Sequence, residues 1–263
     1  MRKLLLLTLI ITVIAFDCYS QWPGTYYVAA KSGLSLREKQ DVNSNLLVKI
    51  PYGTKVTVSY LDESVRYIAE GMEGHWANIT YNGKKGYIVN TYLLPWPPPK
   101  ITQSTPEKPF GMKNYFAQVS TPFSQKLILK SGKPGGVDDS GWELNKQLYK
   151  NGAEWHHLTA WESGSDEYFL PGFTLEQGFL LARLIPEFSE VFDENDAFPT
   201  ESRTFKKGDV EYIIKVDKQT YGEGENTYSW IERIHIEFSP GASYSFDLFR
   251  LGNQLVISFG GGV

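Results

Sequence analysis

The dipeptide Asn82-Gly83 sits between two runs of strand-forming residues, Trp76-Ala77-Asn78-Ile79-Thr80-Tyr81 before it and Gly86-Tyr87-Ile88-Val89 after it. A two-residue type I′ turn needs positive φ at both central positions, which Asn followed by Gly tolerates best, and its twist matches that of the strands it joins. The stretch predicts a β-hairpin. A hairpin with an apolar face is marginal alone and needs further strands to cover it.

The preceding residues supply those strands. Leu34 and Leu36 alternate around Ser35, residues 41–45 form a polar break, residues 46–50 are apolar, Pro51-Tyr52-Gly53 turns, and Val56 and Val58 alternate again. Residues 26–94 therefore read as a small, tightly turned β-barrel. The order Leu34-Ser35-Leu36-Arg37, Pro51-Tyr52-Gly53-Thr54-Lys55-Val56, Trp76-Ala77-Asn78-Ile79, Gly83-Lys84-Lys85-Gly86-Tyr87-Ile88-Val89 and Tyr92-Leu93 resembles a bacterial SH3 domain (SH3b). That resemblance implies an SH3-like barrel and a module that engages cell-wall peptide, peptidoglycan or an envelope protein. It is silent on the rest of the chain.

The sequence departs from the family pattern at residues 61–75, where a connection of a few residues becomes a long insertion. Loops on a rigid scaffold gather binding residues, so the insertion could reshape a ligand groove. Against that, lengthening a surface loop costs only about 0.6 kcal/mol per doubling. The candidate ligand-binding residues are the aromatics Tyr52, Tyr60, Tyr67, Trp76, Tyr87 and Tyr92. Trp76 and Tyr87 lie on strands and read mainly as core. Tyr52, in a turn, and Tyr67, in the insertion, are expected to be exposed.

Residues 1–20 combine the basic Arg2 and Lys3, an apolar run from Leu4 to Phe16, and small residues near Ser20. The run is shorter than the roughly 20 residues of a membrane span and reads as a secretory signal peptide. Asp17 directly before Cys18 is a poor match to a lipoprotein signal, so the expected cleavage follows Ser20. The expected destination is the periplasm or the extracellular space. Cys18, the single cysteine of the sequence, leaves with the signal. The mature chain then has no thiol nucleophile, disulfide or cysteine-bound zinc. Cysteine peptidases of the NlpC/P60 type, which the resemblance brings to mind as partners of SH3b domains, are thereby excluded.

The sequence carries 26 basic and 30 acidic residues. Without Arg2 and Lys3 there are 24 basic residues, without Asp17 there are 29 acidic ones, and the balance is −5. A negative net charge argues against nucleic acid or an anionic membrane surface as partner. Aromatic residues make up 14% of the chain, which suits a β-rich protein and supplies stacking surface.

Composition changes at residues 95–111, where Pro95-Trp96-Pro97-Pro98-Pro99 precedes a Ser/Thr-rich stretch. Such a segment favours polyproline II geometry and reads as a linker. Residues 112–263 then form a second domain. Thr174-Leu175-Glu176-Gln177 has capping-box spacing, and Leu175, Phe179, Leu181-Ala182 and Leu184-Ile185 give the helix after it an apolar face. Residues 210–216, 228–238, 244–250 and 254–259 read as four consecutive strands, with Ile234, Ile236 and Phe238 alternating against Arg233, His235 and Glu237. The closing Gly260-Gly261-Gly262 reads as a frayed tail. The fold class is mainly β: an SH3-like barrel, a Pro-rich linker, and an α+β domain with an antiparallel meander and one main helix.

No catalytic, metal or cofactor site emerges. Glu154, His156 and His157 are close in sequence, but adjacent strand residues point to opposite faces and cannot share one metal. The acidic pairs Asp138-Asp139, Asp166-Glu167 and Glu194 with Asp196 read as solvated loops rather than a carboxylate dyad. The sequence is thus read as an exported, non-catalytic binding protein. The alternatives are a cell-envelope hydrolase with catalysis in the second domain, or a structural or assembly factor.

Overall fold

The computed structural model describes residues 23–123, 127–132, 141–222, 224 and 227–262. The signal segment with Cys18 and the pair Asp138-Asp139 lie outside the described residues. The first sheet comprises β1 (Gly24–Val28), β2 (Leu34–Arg37), β3 (Leu46–Ile50), β4 (Lys55–Ala69), β5 (Met72–Tyr81), β6 (Lys84–Val89) and, after a 3₁₀ turn at Asn90–Tyr92, β7 (Leu93–Leu94). The strands are antiparallel in the order β3-β2-β6-β5-β4-β1-β7, a curled SH3-like sheet. Leu36, Ile50, Val58, Trp76, Ile79 and Ile88 fill it. Asn82 and Gly83 have φ of 49° and 74°, the positive pair the turn needs. Gly86 is glycine because a Cβ there would lie 2.4 Å from the Arg37 carbonyl oxygen.

The insertion is neither a loop nor a free elaboration. It lengthens β4 and β5 into a ribbon, with residues 63–65 looped out between the pairs Asp62/Trp76 and Arg66/His75. The ribbon ends in a second positive-φ turn at Glu70-Gly71, with φ of 50° and 76°. Its tip docks on the second domain: the Phe198 amide donates to the Glu70 carbonyl at 2.7 Å, and Met72 has no exposed surface.

The second domain begins with α1 (Met112–Val119) and continues through β8 (Leu127–Ser131), β9 (Trp142–Leu148), β10 (Glu154–Ala160), β11 (Ser163–Pro171), α2 (Leu175–Ala182), β12 (Arg203–Lys207), β13 (Val210–Tyr221), β14 (Tyr228–Phe238), β15 (Ser243–Leu251) and β16 (Gln254–Gly262). Among the described residues its nine strands form one antiparallel sheet in the order β12-β13-β14-β15-β16-β11-β10-β9-β8. Two meanders meet where β11 pairs with β16. In α2, Thr174 Oγ1 accepts from the Gln177 amide while Gln177 Oε1 accepts from the Thr174 amide, the capping box expected from sequence. The helix packs so closely on the sheet that a Cβ at Gly178 would stand 2.2 Å from Leu255.

Two sequence expectations change. The triglycine is not frayed: Gly260, Gly261 and Gly262 lie inside β16 and pair with both β11 and β15. A Cβ at Gly260 would lie 2.6 Å from the Gly164 carbonyl oxygen, and one at Gly261 2.6 Å from the Tyr244 ring. Five strands rather than four follow the main helix, since β12 precedes the expected set.

The two sheets share a core. Ala29, Met72 and Leu94 of the first sheet pack in the same apolar cluster as Phe116, Phe173, Phe179 and Phe188. The segment between them takes part: Pro98 and Pro99 are buried, and the Trp96 ring meets Phe173 edge-on at 4.9 Å. Gln177 Nε2 donates to the Leu93 carbonyl at 3.2 Å across the junction, satisfying polar groups that burial would otherwise penalise.

Candidate functional site

A cleft of about 420 Å³ runs along this junction. One wall is the connection between β1 and β2 with the insertion ribbon; the other is the C-terminal end of α2 and the loop at residues 194–195. The sequence dictates the floor. Trp76 sits on β5 with 3% of its surface exposed, and the Tyr67 ring stands against it edge-on at 5.8 Å. Tyr92, in the 3₁₀ turn before β7, closes one side. Burial pushes the Tyr92 phenol up to about 12, and the Glu70 carboxylate beside it adds to the shift. That hydroxyl stays protonated near neutral pH and acts as a neutral donor.

Charges of both signs form the rim. Arg183, at the C-cap of α2, holds Glu70 at 2.6 Å with its side chain only 9% exposed. It also donates to the Asp196 carbonyl at 2.5 Å. Lys31 meets Glu194 at 3.0 Å with both side chains exposed. Arg37 lines the cleft and donates to the Ser44 carbonyl. An aromatic floor with a rim of both charges fits a ligand that has an apolar stem and carries ammonium and carboxylate groups.

The structure brings Tyr67, Trp76 and Tyr92 together and leaves the other three candidate residues elsewhere. Tyr67 and Tyr52, both expected to be exposed, are half-buried: Tyr67 packs against the barrel core, while the Tyr52 hydroxyl donates to the Pro99 carbonyl at 2.9 Å and burial pushes its phenol up to about 12. The Tyr52 turn faces the second domain, which the local sequence does not reveal. Tyr60 is 60% exposed outside the cleft. Tyr87 packs half-buried against the barrel core. Arg183, Glu70, Lys31 and Glu194 went unforeseen, because each joins the site only through contacts more than a hundred residues apart in sequence.

The second domain holds another concentration of titratable groups. Strand register aligns Lys146, His156, Glu167, Ser258, Asp247, His235 and Lys215 in one row across seven strands, on the face opposite Tyr168, Leu248 and Ile257. This corrects the loop reading of Asp166-Glu167: both lie in β11 and point to opposite faces. Asp166 meets His157 at 3.0 Å and Trp155 Nε1 at 2.5 Å, whereas Glu167 lies 3.7 Å from His156. The row's charges are spent on one another. Lys146 meets Glu154 at 2.7 Å, and His235 sits 2.7 Å from Asp247 and 2.9 Å from Glu237. Arg233 closes on Asp247. Lys215 and His235 hold the Glu237 carboxyl below its usual range. Among the described residues no group of three or more His, Asp or Glu has metal-holding geometry, and no helix is long and apolar enough to cross a membrane.

The fold is a small SH3-like barrel joined along a cleft to a second, antiparallel-sheet domain. Residues 32–93 match the family model described as the bacterial SH3 domain, so the chain carries a bacterial SH3 domain there. A search of curated proteins returns no match.

Proposed function

We propose that this chain is an exported, non-catalytic binding protein whose junction cleft takes cell-wall peptide or an extended segment of an envelope protein. Bacterial SH3 domains are commonly cell-wall binding modules. The observation that carries the reading is the aromatic floor of Tyr67, Trp76 and Tyr92 under a rim of paired opposite charges. A peptide with free amino and carboxylate groups exchanges the exposed Lys31–Glu194 pair for its own at small cost, because exposed ion pairs contribute only about 0–1 kcal/mol. The cleft needs no chemistry beyond complementarity.

The test is retention of the full mature chain on purified peptidoglycan sacculi, with the supernatant analysed for released fragments. Retention without release, reduced by Tyr67→Ala, supports the reading. Released wall fragments move the protein to a hydrolase. Absence of retention discards the wall as ligand.

One observation favours the alternative of an assembly factor. The outer strand β8 exposes Leu127, Ile128 and Leu129 at 51, 53 and 47% and pairs on one side only. The opposite edge, β12, carries Arg203, Lys206 and Lys207, the charged protection usual for an edge strand. Under that alternative, Ile128→Lys abolishes co-purification with envelope proteins while sacculus retention stays unchanged.

A further inference from the structure

Beyond Asp217 and Arg233 the β13–β14 pair leaves the sheet. β12 reaches only Ile214 and β15 only Arg233, so among the described residues 218–221 and 228–231 pair with each other alone. In that ribbon Tyr221 is opposite Tyr228 and Gln219 is opposite Trp230, and alternate strand residues share a face. All four side chains therefore stand on one side. Tyr221, Tyr228 and Trp230 are 77, 67 and 42% exposed, although rings of this size ordinarily lie inside a protein.

The rings are organised rather than scattered. Tyr228 and Trp230 stack with centroids 5.7 Å apart and planes 27° from parallel. Next to them Gln219 Nε2 donates to Glu232 Oε2 at 2.7 Å, placing an amide and a carboxylate at the edge of the aromatic strip. On the other side of the ribbon Thr220 and Ser229 share a hydrogen bond, and Ile231 at its base packs against the core.

We propose that this strip is a carbohydrate-binding platform that stacks consecutive pyranose rings of a neutral or N-acetylated glycan. A pyranose offers what the strip lacks: a flat face of C–H groups for the Tyr228 and Trp230 rings, and a rim of hydroxyls for the Gln219 amide and Glu232 carboxylate. Tyr228 and Trp230 form one stacked unit and Tyr221 stands across the ribbon from it, so an oligosaccharide long enough to reach both engages the strip better than a monosaccharide. An anionic membrane surface is a poorer occupant. Glu232 and Glu201 flank the ribbon, both repelled by negative lipid. A protein partner is also poorer, because the strip is three rings on a two-stranded ribbon, bordered by the polar Gln219 and Glu232, and has no room for a desolvated interface centre. The inference stands on the second domain and is independent of the cleft reading.

The experiment titrates the full mature chain with a tetramer of N-acetylglucosamine, and separately with the monomer, by calorimetry. Saturable binding of the tetramer, weaker binding of the monomer, and a loss of roughly tenfold or more in Trp230→Ala and Tyr228→Ala support the platform. Trp230→Phe keeps a ring and retains part of the affinity. Both positions are exposed, so unchanged melting temperatures separate lost binding from lost fold, and Tyr67→Ala in the cleft leaves the titration unaltered. Tetramer binding that survives both alanine variants overturns the proposal, as does no binding at all. Trp230-dependent pelleting with anionic phosphatidylglycerol vesicles, or Trp230-dependent self-association, overturns it in favour of a membrane or a second copy.

Discussion

Arg183 and Glu70 lie 113 positions apart in sequence and 2.6 Å apart in space, and they join the α2 C-terminus to the tip of the barrel's insertion. Arg183 is nearly buried whereas Glu70 is half in water, so the two halves of the pair are unequal. Removing Glu70 leaves a guanidinium still bound to the Asp196 carbonyl. Removing Arg183 takes away both contacts and the packing of its stem. Arg183→Met is expected to cost about 1–3 kcal/mol and Glu70→Gln less than 1, with a coupling below 1 kcal/mol after discounting for the solvent around Glu70. A double-mutant cycle in urea measures all three; a Glu70→Gln cost equal to that of Arg183→Met contradicts the asymmetry.

The turns at Asn82-Gly83 and Glu70-Gly71 have nearly the same conformation and different surroundings. A Cβ at Gly83 meets nothing within 4 Å, whereas one at Gly71 would stand 2.5 Å from the Phe198 carbonyl oxygen. Gly83→Ala therefore reports the positive-φ penalty alone, about 1 kcal/mol. Gly71→Ala adds a clash at the domain junction and is expected to cost about 2–4 kcal/mol. Equal melting temperatures for the two variants would mean the ribbon tip contributes no docking.

These contacts also show where the sequence was legible. The Asn82-Gly83 hairpin, the Leu34/Leu36 strand and the Thr174/Gln177 capping box are local patterns, and each appears where its residues place it. Helix α1 was missed although Met112, Tyr115, Phe116 and Val119 have helical spacing. Its N-terminus carries Gly111 instead of a capping side chain, and the Met112 amide donates to Glu187, 75 residues on, at 2.9 Å. The cleft was half legible for the same reason. Its aromatic floor belongs to one domain's strands, while its charged rim requires the other domain.

Glu187 gives a pH prediction. Burial raises its carboxyl above the ordinary range, opposed by the hydrogen bond from the Met112 amide. A group whose folded value is raised contributes stability that is complete below its unfolded value and is lost as pH rises through the folded value. Glu187→Gln removes that titration and keeps an acceptor for Met112. The melting temperature of the variant minus that of the parent is therefore expected to increase as pH rises from about 4 through the acidic range, followed by circular dichroism. A difference independent of pH would mean that Glu187 titrates no differently in the folded and unfolded chains.

Tyr67 and Tyr60 separate ligand contact from barrel integrity. Both lie on β4, but Tyr67 stands against Trp76 in the cleft while Tyr60 is exposed away from it. Tyr60→Ala is expected to leave sacculus retention unchanged. Tyr67→Ala should weaken it roughly tenfold, the loss typical of an aromatic contact of 1–3 kcal/mol. Tyr60 is exposed and its variant should melt with the parent, whereas Tyr67 packs partly buried against the barrel core, so its retention is measured well below its own melting midpoint; Trp76→Ala is unsuitable because its near-complete burial makes it a folding mutation. Trp76 must stay for Tyr67 to be read at all: the indole sets the ring's edge-on position. Equal retention by the Tyr60 and Tyr67 variants would place any wall contact outside the cleft.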